Sequence, residues 1–193
     1  AYYGLKQIEL IAKNANLRIY NVEINSMNGG SLRVFLCHSR SNRITNTKTL
    51  DKIKKLELKS NIYNHLTYKI FIDEIKSIGE KLLDFLTQEK KKGKTIHIYG
   101  ASTKGNVLLQ FFKIGNSLID CAAERNEWKY GHRTPGTNIP IISEHKSREL
   151  NPDYYLVLPW HFKGEFINRE KEFLSKGGKL IFPLPELEVY PCK

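Results

Sequence analysis

The chain has 193 residues, 40% of them hydrophobic, and a formal net charge of +11. That length allows one good core, or one domain plus part of another. No apolar run reaches the length of a membrane span and there is no signal peptide, so a cytoplasmic globular protein is expected. Cys37, Cys121 and Cys192 are scattered and odd in number. They show neither metal-ligand spacing nor a disulfide framework, and free thiols are expected.

In chain order, Leu5 to Ala15 has helical periodicity, with Leu5, Ile8, Ile11, Ala12 and Ala15 on one side. Leu17 to Ile24 alternates as a strand and Ser31 to Cys37 is a second. The Asn25 to Gly30 connector between them predicts antiparallel pairing. One helix and one hairpin cannot bury a core alone, so residues 1–38 read as the edge of a larger domain. Ser39 to Thr49 is polar and reads as a linker, and a short helix is expected around Leu50 to Leu58; together they define a connecting segment, 39–62. A long helix spans Tyr63 to Lys92, with apolar residues at Leu66, Ile70, Ile75, Ile78, Leu82, Leu83 and Leu86, a stripe suited to a domain core.

From Thr95 the pattern becomes strand–helix alternation. Strands are predicted at Thr95–Tyr99, Leu118–Ala122, Tyr154–Leu158 and Lys179–Phe182. Helices fall near Lys104–Ile114, Ser143–Leu150 and Lys163–Ser175. Four apolar strands separated by helices imply an α/β, Rossmann-like domain with a mainly parallel sheet over residues 63–193, counting its leading helix.

The positive charge raises a nucleic-acid reading. Much of the excess is lysine in helical stretches (Lys52, Lys54, Lys55 and Lys59, then Lys90, Lys91, Lys92 and Lys94), which suits solvated helix faces. Aromatics do not interleave with it as base stacking requires, and no helix-turn-helix, zinc or RNP pattern is present. Nucleic acid is therefore the least favoured partner.

The stretch Thr95 to Asn106, TIHIYGASTKGN, turns sharply from strand to helix. Such a turn exposes unpaired amides and the positive end of the helix dipole, a place for an anion. The spacing matches neither common cofactor loop. Ser102 replaces the second glycine of a dinucleotide fingerprint, and Asn106 and Val107 replace the Lys and Ser/Thr of a Walker loop. Two readings stay open, a phosphate cradle and a turn that needs glycine only for its backbone.

Ligands of parallel sheets gather at the carboxyl ends of the strands. There the sequence places Ser102, Thr103, Lys104 and Asn106 after the first strand. Glu124, Arg125 and Asn126 follow the second, running on to Arg133, and Trp160 and His161 follow the third. Convergent polar groups beside aromatics form a candidate pocket for an anionic, sugar-like ligand. The plainer readings are a core Trp160, a structural His161 and a surface Glu124–Arg125 pair.

Several motifs in order carry a resemblance to a family. They include Asn28-Gly29-Gly30-Ser31-Leu32-Arg33-Val34, Tyr99 to Asn106, Ala123-Glu124-Arg125-Asn126 and Arg133-Thr134-Pro135-Gly136-Thr137. Ile139 to Ser143, Leu156 to Phe162 and Gly177 to Pro185 complete the set. The chain resembles the C-terminal domain of the S-adenosylmethionine-dependent sugar C-methyltransferases, preceded by the last helix and hairpin of their methyltransferase domain. The resemblance implies a parent enzyme with a zinc-binding N-terminal domain, a methyltransferase domain and this Rossmann-like domain. Its substrate would be a nucleotide-linked keto-deoxysugar, methylated beside the keto group.

It also implies that the zinc site, the cofactor site and a Tyr-x-Glu-His motif associated with the catalytic base lie outside this chain. The chain alone is then expected to be inactive, with no catalytic residue of its own and the missing methyltransferase domain as its partner. Asn28, where many relatives carry His, is given no proton-transfer role. The expected contribution of the chain is to help bind or enclose the substrate through the carboxyl-end residues. The alternative is a scaffold without its own ligand.

Overall fold

The computed structural model describes residues 3–26 and 30–192. Asn28 and Gly29, used in the resemblance, lie outside the described residues. The chain forms two compact units, residues 1–72 and 73–193, with the boundary inside a long helix. Among the described residues no helix is long and apolar enough to cross a membrane.

The first unit holds α1 (Leu5–Asn14), β1 (Leu17–Asn25), β2 (Ser31–His38) and α2 (Thr47–Lys59). The two strands pair antiparallel, with Val22 opposite Val34 and a register shift between Ile19 and Asn21. Leu5, Ile19, Val22, Leu50 and Ile53 form its core, so α2 packs with the hairpin instead of serving as a spacer. The polar stretch before α2 is tied down as well. Arg18 donates from Nη1 to Thr45 Oγ1 at 2.7 Å and from Nη2 to the Ser41 carbonyl at 2.9 Å. Asn46 then caps α2 by accepting from the Thr49 amide.

The long helix α3 (His65–Lys91) leads into the second unit, which holds a six-stranded sheet. Its strands are β3 (Ile96–Tyr99), β4 (Cys121–Glu124), β5 (Ile141–Ser143), β6 (Tyr154–Val157), β7 (Lys179–Phe182) and β8 (Glu188–Tyr190). The order is β5-β4-β3-β6-β7-β8, parallel except for β8. The helices α4 (Thr103–Phe111), α5 (Glu144–Glu149), α6 (Lys163–Arg169) and α7 (Lys171–Ser175) complete the unit. This is the mainly parallel, Rossmann-like α/β architecture that the strand–helix alternation predicts. The order reverses between β3 and β6, the switch point of the sheet.

Two predicted elements differ in detail, and two strands were not predicted. The second strand of the alternation starts at Cys121, not Leu118. The apolar Leu118 and Ile119 lie in the preceding turn, from which they pack into the core. The helix predicted over 163–175 is broken at Glu170, whose backbone leaves helical geometry (φ −101°, ψ 25°). The edge strands β5 and β8 have three residues each, too few to show an alternation.

Alternation along β3 divides the core. Ile96 and Ile98 face one side of the sheet with Leu82 and Leu86 of α3 and Leu108 and Leu109 of α4. Tyr99 faces the other, with Tyr155, Val157, Phe173, Leu180 and Phe182.

Candidate functional site

The site is built on the carboxyl edge of the sheet, beginning with the turn after β3. Gly100 adopts φ +81°, a conformation that favours glycine. Gly105 lets α4 approach β6, since a Cβ there would lie 2.6 Å from Leu158 Cδ1. Ser102 is the N-cap of α4; its Oγ accepts from the Gly105 amide at 3.1 Å. The Ala101 amide donates to Glu124 Oε2 at 3.0 Å, so a carboxylate of the chain itself occupies the turn.

Glu124 is held from several directions. Lys129 Nζ lies 2.9 Å from Oε2 and also donates to the Ala101 carbonyl at 3.0 Å. The Arg125 and Asn126 amides donate to Oε1 at 2.8 and 3.2 Å. Burial alone would raise the carboxyl pKa; Lys129 and the three amides outweigh it and hold Glu124 below its ordinary range. The cradle that the sequence suggests is thus filled by Glu124. It offers an adenosyl or dinucleotide cofactor no free Ala101 amide, and Ser102 stands where a dinucleotide loop has its second glycine, so the residues present do not fit such a group.

The other candidate residues fall in separate places. Thr103 and Lys104 lie on the exposed first turn of α4. The Oδ1 of Asn106 is buried and takes no hydrogen bond. Asn126 caps the short 3-10 turn Glu127–Lys129, accepting from the Trp128 amide at 3.1 Å. Arg133 donates to the Asn138 carbonyl at 3.0 Å. Trp160 is partly buried against both core clusters. The exposed His161 ring packs on Phe162, with centroids 4.3 Å apart.

Arg125 leads to a group of residues that strand-end reasoning misses. Its Nε lies 3.2 Å from Glu144 Oε1, and Glu144 also takes Arg148 at 3.3 Å and Arg169 at 3.4 Å. Glu170 is buried beneath them and accepts from Tyr99 OH at 2.6 Å, Arg148 at 2.9 Å and Arg169 at 3.2 Å. Burial, then the bond to Glu170, pushes the Tyr99 phenol well above its ordinary pKa. The Arg169 guanidinium lies over the rings of Tyr99 and Phe166, 4.6 and 4.7 Å from their centroids.

Above this cluster opens a recess of about 330 Å³, lined by Arg125, Pro159, Phe162, Glu165, Phe166 and Arg169. It lies where β4 and β6 deliver their following loops, beside the switch point. Of the residues predicted as substrate-binding, Arg125 alone lines it. Two phenylalanines with two arginines and a carboxylate offer ring faces for C–H surfaces and polar groups for hydroxyls. The acids of the cluster offset its arginines, so a neutral polyhydroxyl ligand suits it better than a strong anion.

Among the described residues, no group of three or more His, Cys, Asp and Glu side chains could hold a metal. The three cysteines are free.

Two comparisons bear on identity. The family described as the C-methyltransferase C-terminal domain matches residues 26–185. C-methyltransferase NovU of Streptomyces niveus is 31% identical over 189 residues, covering 98% of this chain and 45% of that protein. The chain thus spans about half the length of the relative it matches. With its Rossmann-like sheet, it belongs to the C-methyltransferase C-terminal domain family.

Proposed function

We propose that this chain is the C-terminal part of an S-adenosylmethionine-dependent C-methyltransferase. Its substrate is a nucleotide-linked keto-deoxysugar, and the second unit helps to hold and enclose it. The supporting observation is the recess between Arg125, Phe162, Phe166 and Arg169, at the sheet edge where α/β folds bind ligands. The methyl donor supplies an electrophilic methyl group. The proton-abstracting base and the donor site belong to the remainder of the parent protein, so no step of methyl transfer is assigned to residues of this chain. Its side chains bind, orient and exclude water: the rings cover the sugar face, and Arg125 and Glu165 take its hydroxyls.

Calorimetry of the chain with a nucleotide-linked hexose tests this reading. Heat of binding is expected from the wild type, and an affinity lowered by tenfold or more from Phe166→Ala. A folded wild type that gives no binding heat would overturn it.

A second reading, an interdomain scaffold without a ligand, draws support from the first turns of α3. Leu66, Ile70 and Phe71 there are each about half exposed. Such an apolar surface suits contact with the remainder of a parent enzyme. If that reading holds, Leu66→Ser and Phe71→Ser would lower methyl transfer by an enzyme assembled from both parts, whereas Phe166→Ala would leave it unchanged.

A further inference from the structure

Several cations along the carboxyl edge of the second unit face an acid. Lys129 pairs with Glu124, and Arg125, Arg148 and Arg169 pair with Glu144. Another recess beside the edge strand β5, of about 370 Å³, departs from this pattern. Its polar lining is Tyr130, His132, Arg133, Ser143 and Lys146, and no carboxylate borders it.

The floor of this recess is fixed. The Gly131 amide donates to the Ile141 carbonyl at 3.1 Å, and the Ile141 amide donates to the His132 carbonyl at 2.9 Å. Arg133 and Pro140 form a further bridge. The Arg133 fork is set by its Nη1 bond to the Asn138 carbonyl, an acceptor that does not neutralise it. Lys146 comes from the first turns of α5, whose N-cap Ser143 also lines the recess. Arg133, Lys146 and His132 therefore border one concave place that no carboxylate lines.

We propose that this second recess is a phosphoryl-binding site, in which Arg133 and Lys146 carry the charge and His132 and Tyr130 supply further hydrogen-bonding groups. An Arg fork matches two oxygens of one phosphoryl group, and an ammonium beside it serves as a point charge. The two recesses are neighbours along the chain and in space. Tyr130 OH donates to the Arg125 carbonyl at 3.3 Å, and Ser143 of one recess adjoins Glu144 beneath the other. A nucleotide-linked sugar would place its sugar against Phe162 and Phe166 and its phosphates against Arg133 and Lys146. That placement rests on the proposed substrate; the affinity for a phosphoryl group does not.

The test is a titration of the whole chain with inorganic pyrophosphate, a nucleoside diphosphate and a random oligonucleotide, monitored by calorimetry and by the amide resonances of His132 and Lys146. Pyrophosphate is expected to shift those resonances. Arg133→Ala with Lys146→Ala should weaken its binding by tenfold or more while circular dichroism stays native, since both side chains are exposed. Arg133→Lys should retain part of the affinity. Phe166→Ala should leave pyrophosphate binding intact, which separates failure of the sugar recess from failure of this site.

A nucleoside diphosphate bound at least tenfold more tightly than pyrophosphate supports both the site and its place on the substrate. Equal affinity supports the site and overturns its link to the sugar recess. No pyrophosphate binding, or binding unaltered in the double variant, overturns the proposal. So does an oligonucleotide that binds far more tightly with a steep loss in salt, which would mark a nucleic-acid surface.

Discussion

The two faces of the six-stranded sheet are made from the same strands and are built on opposite principles. Beneath α3 and α4 the sheet presents Ile96, Ile98, Leu156 and Ile181 to Leu82, Leu86 and Leu109, nearly all hydrocarbon. Beneath α5 to α7 it presents His97, Tyr99 and Tyr155, with buried Ser147 and Glu170 closing hydrogen bonds among them. Hydrocarbon packing stabilises without direction, whereas a buried polar network tolerates only arrangements that satisfy every member. The second face therefore fixes where Arg148 and Arg169 point, and the recess lined by Arg125, Phe162, Phe166 and Arg169 opens at its outer rim.

Substitutions on the two faces should separate them by size and kind. The largest effect is expected from Leu109→Ala on the hydrocarbon face, where the side chain is fully buried. A loss of about 2–5 kcal/mol in urea unfolding is expected, with an unchanged denaturant slope. Glu170→Ala on the polar face should cost about 2 kcal/mol. That is below the cost of breaking a fully buried ion pair, because the side chains of Arg148 and Arg169 remain 42% and 29% exposed. It should also loosen Arg169 and so weaken sugar binding, which Leu109→Ala should not do at a temperature where the variant remains folded.

A smaller, pH-dependent effect is expected at His97. Its Nδ1 lies 2.8 Å from Ser147 Oγ and its ring meets Tyr155 edge-on. Burial lowers its pKa below the ordinary value of 6.5; Asp120 opposes that shift and Lys90 adds to it. Below pH 6.5 the unfolded chain takes up a proton that the folded chain resists. Stability should therefore fall as the pH drops from 6.5 toward the folded pKa, and level off beneath it. His97→Asn should remove that component of the pH dependence, read from urea midpoints across pH 4.5 to 7.5. A retained component would place the titrating group elsewhere.

The contrast also explains what was legible in the sequence. Strong periodicity in α3 and the apolar runs at 95–99, 154–158 and 179–182 marked the hydrocarbon face and the parallel sheet. The three-residue edge strands β5 and β8 carried too little pattern to be found. For the site, proximity to strand ends pointed to Arg125 and to Ser102. It could not show that Ser102 caps its own helix, or that Glu124 folds back onto the Ala101 amide. Glu144 and Arg148 come from α5, Arg169 from the end of α6 and Glu170 from the break after it, and the two groups meet across 22 to 25 residues of sequence. No local spacing announces such a meeting, and the break at Glu170 that turns its carboxylate inward has no glycine or proline to mark it. The family motifs carried the identity; tertiary contacts carried the chemistry.

The central claim is that substrate meets the rim of the polar face, not the glycine turn after β3. Mapping the amide shifts of the whole chain on titration with a nucleotide-linked hexose tests it most directly. Shifts at Arg125, Phe162, Phe166 and Arg169, joined by those at His132 and Lys146 if the phosphates take the second recess, with residues 102–106 unmoved, are the predicted result. Shifts confined to residues 102–106, or none at saturating ligand, would contradict it.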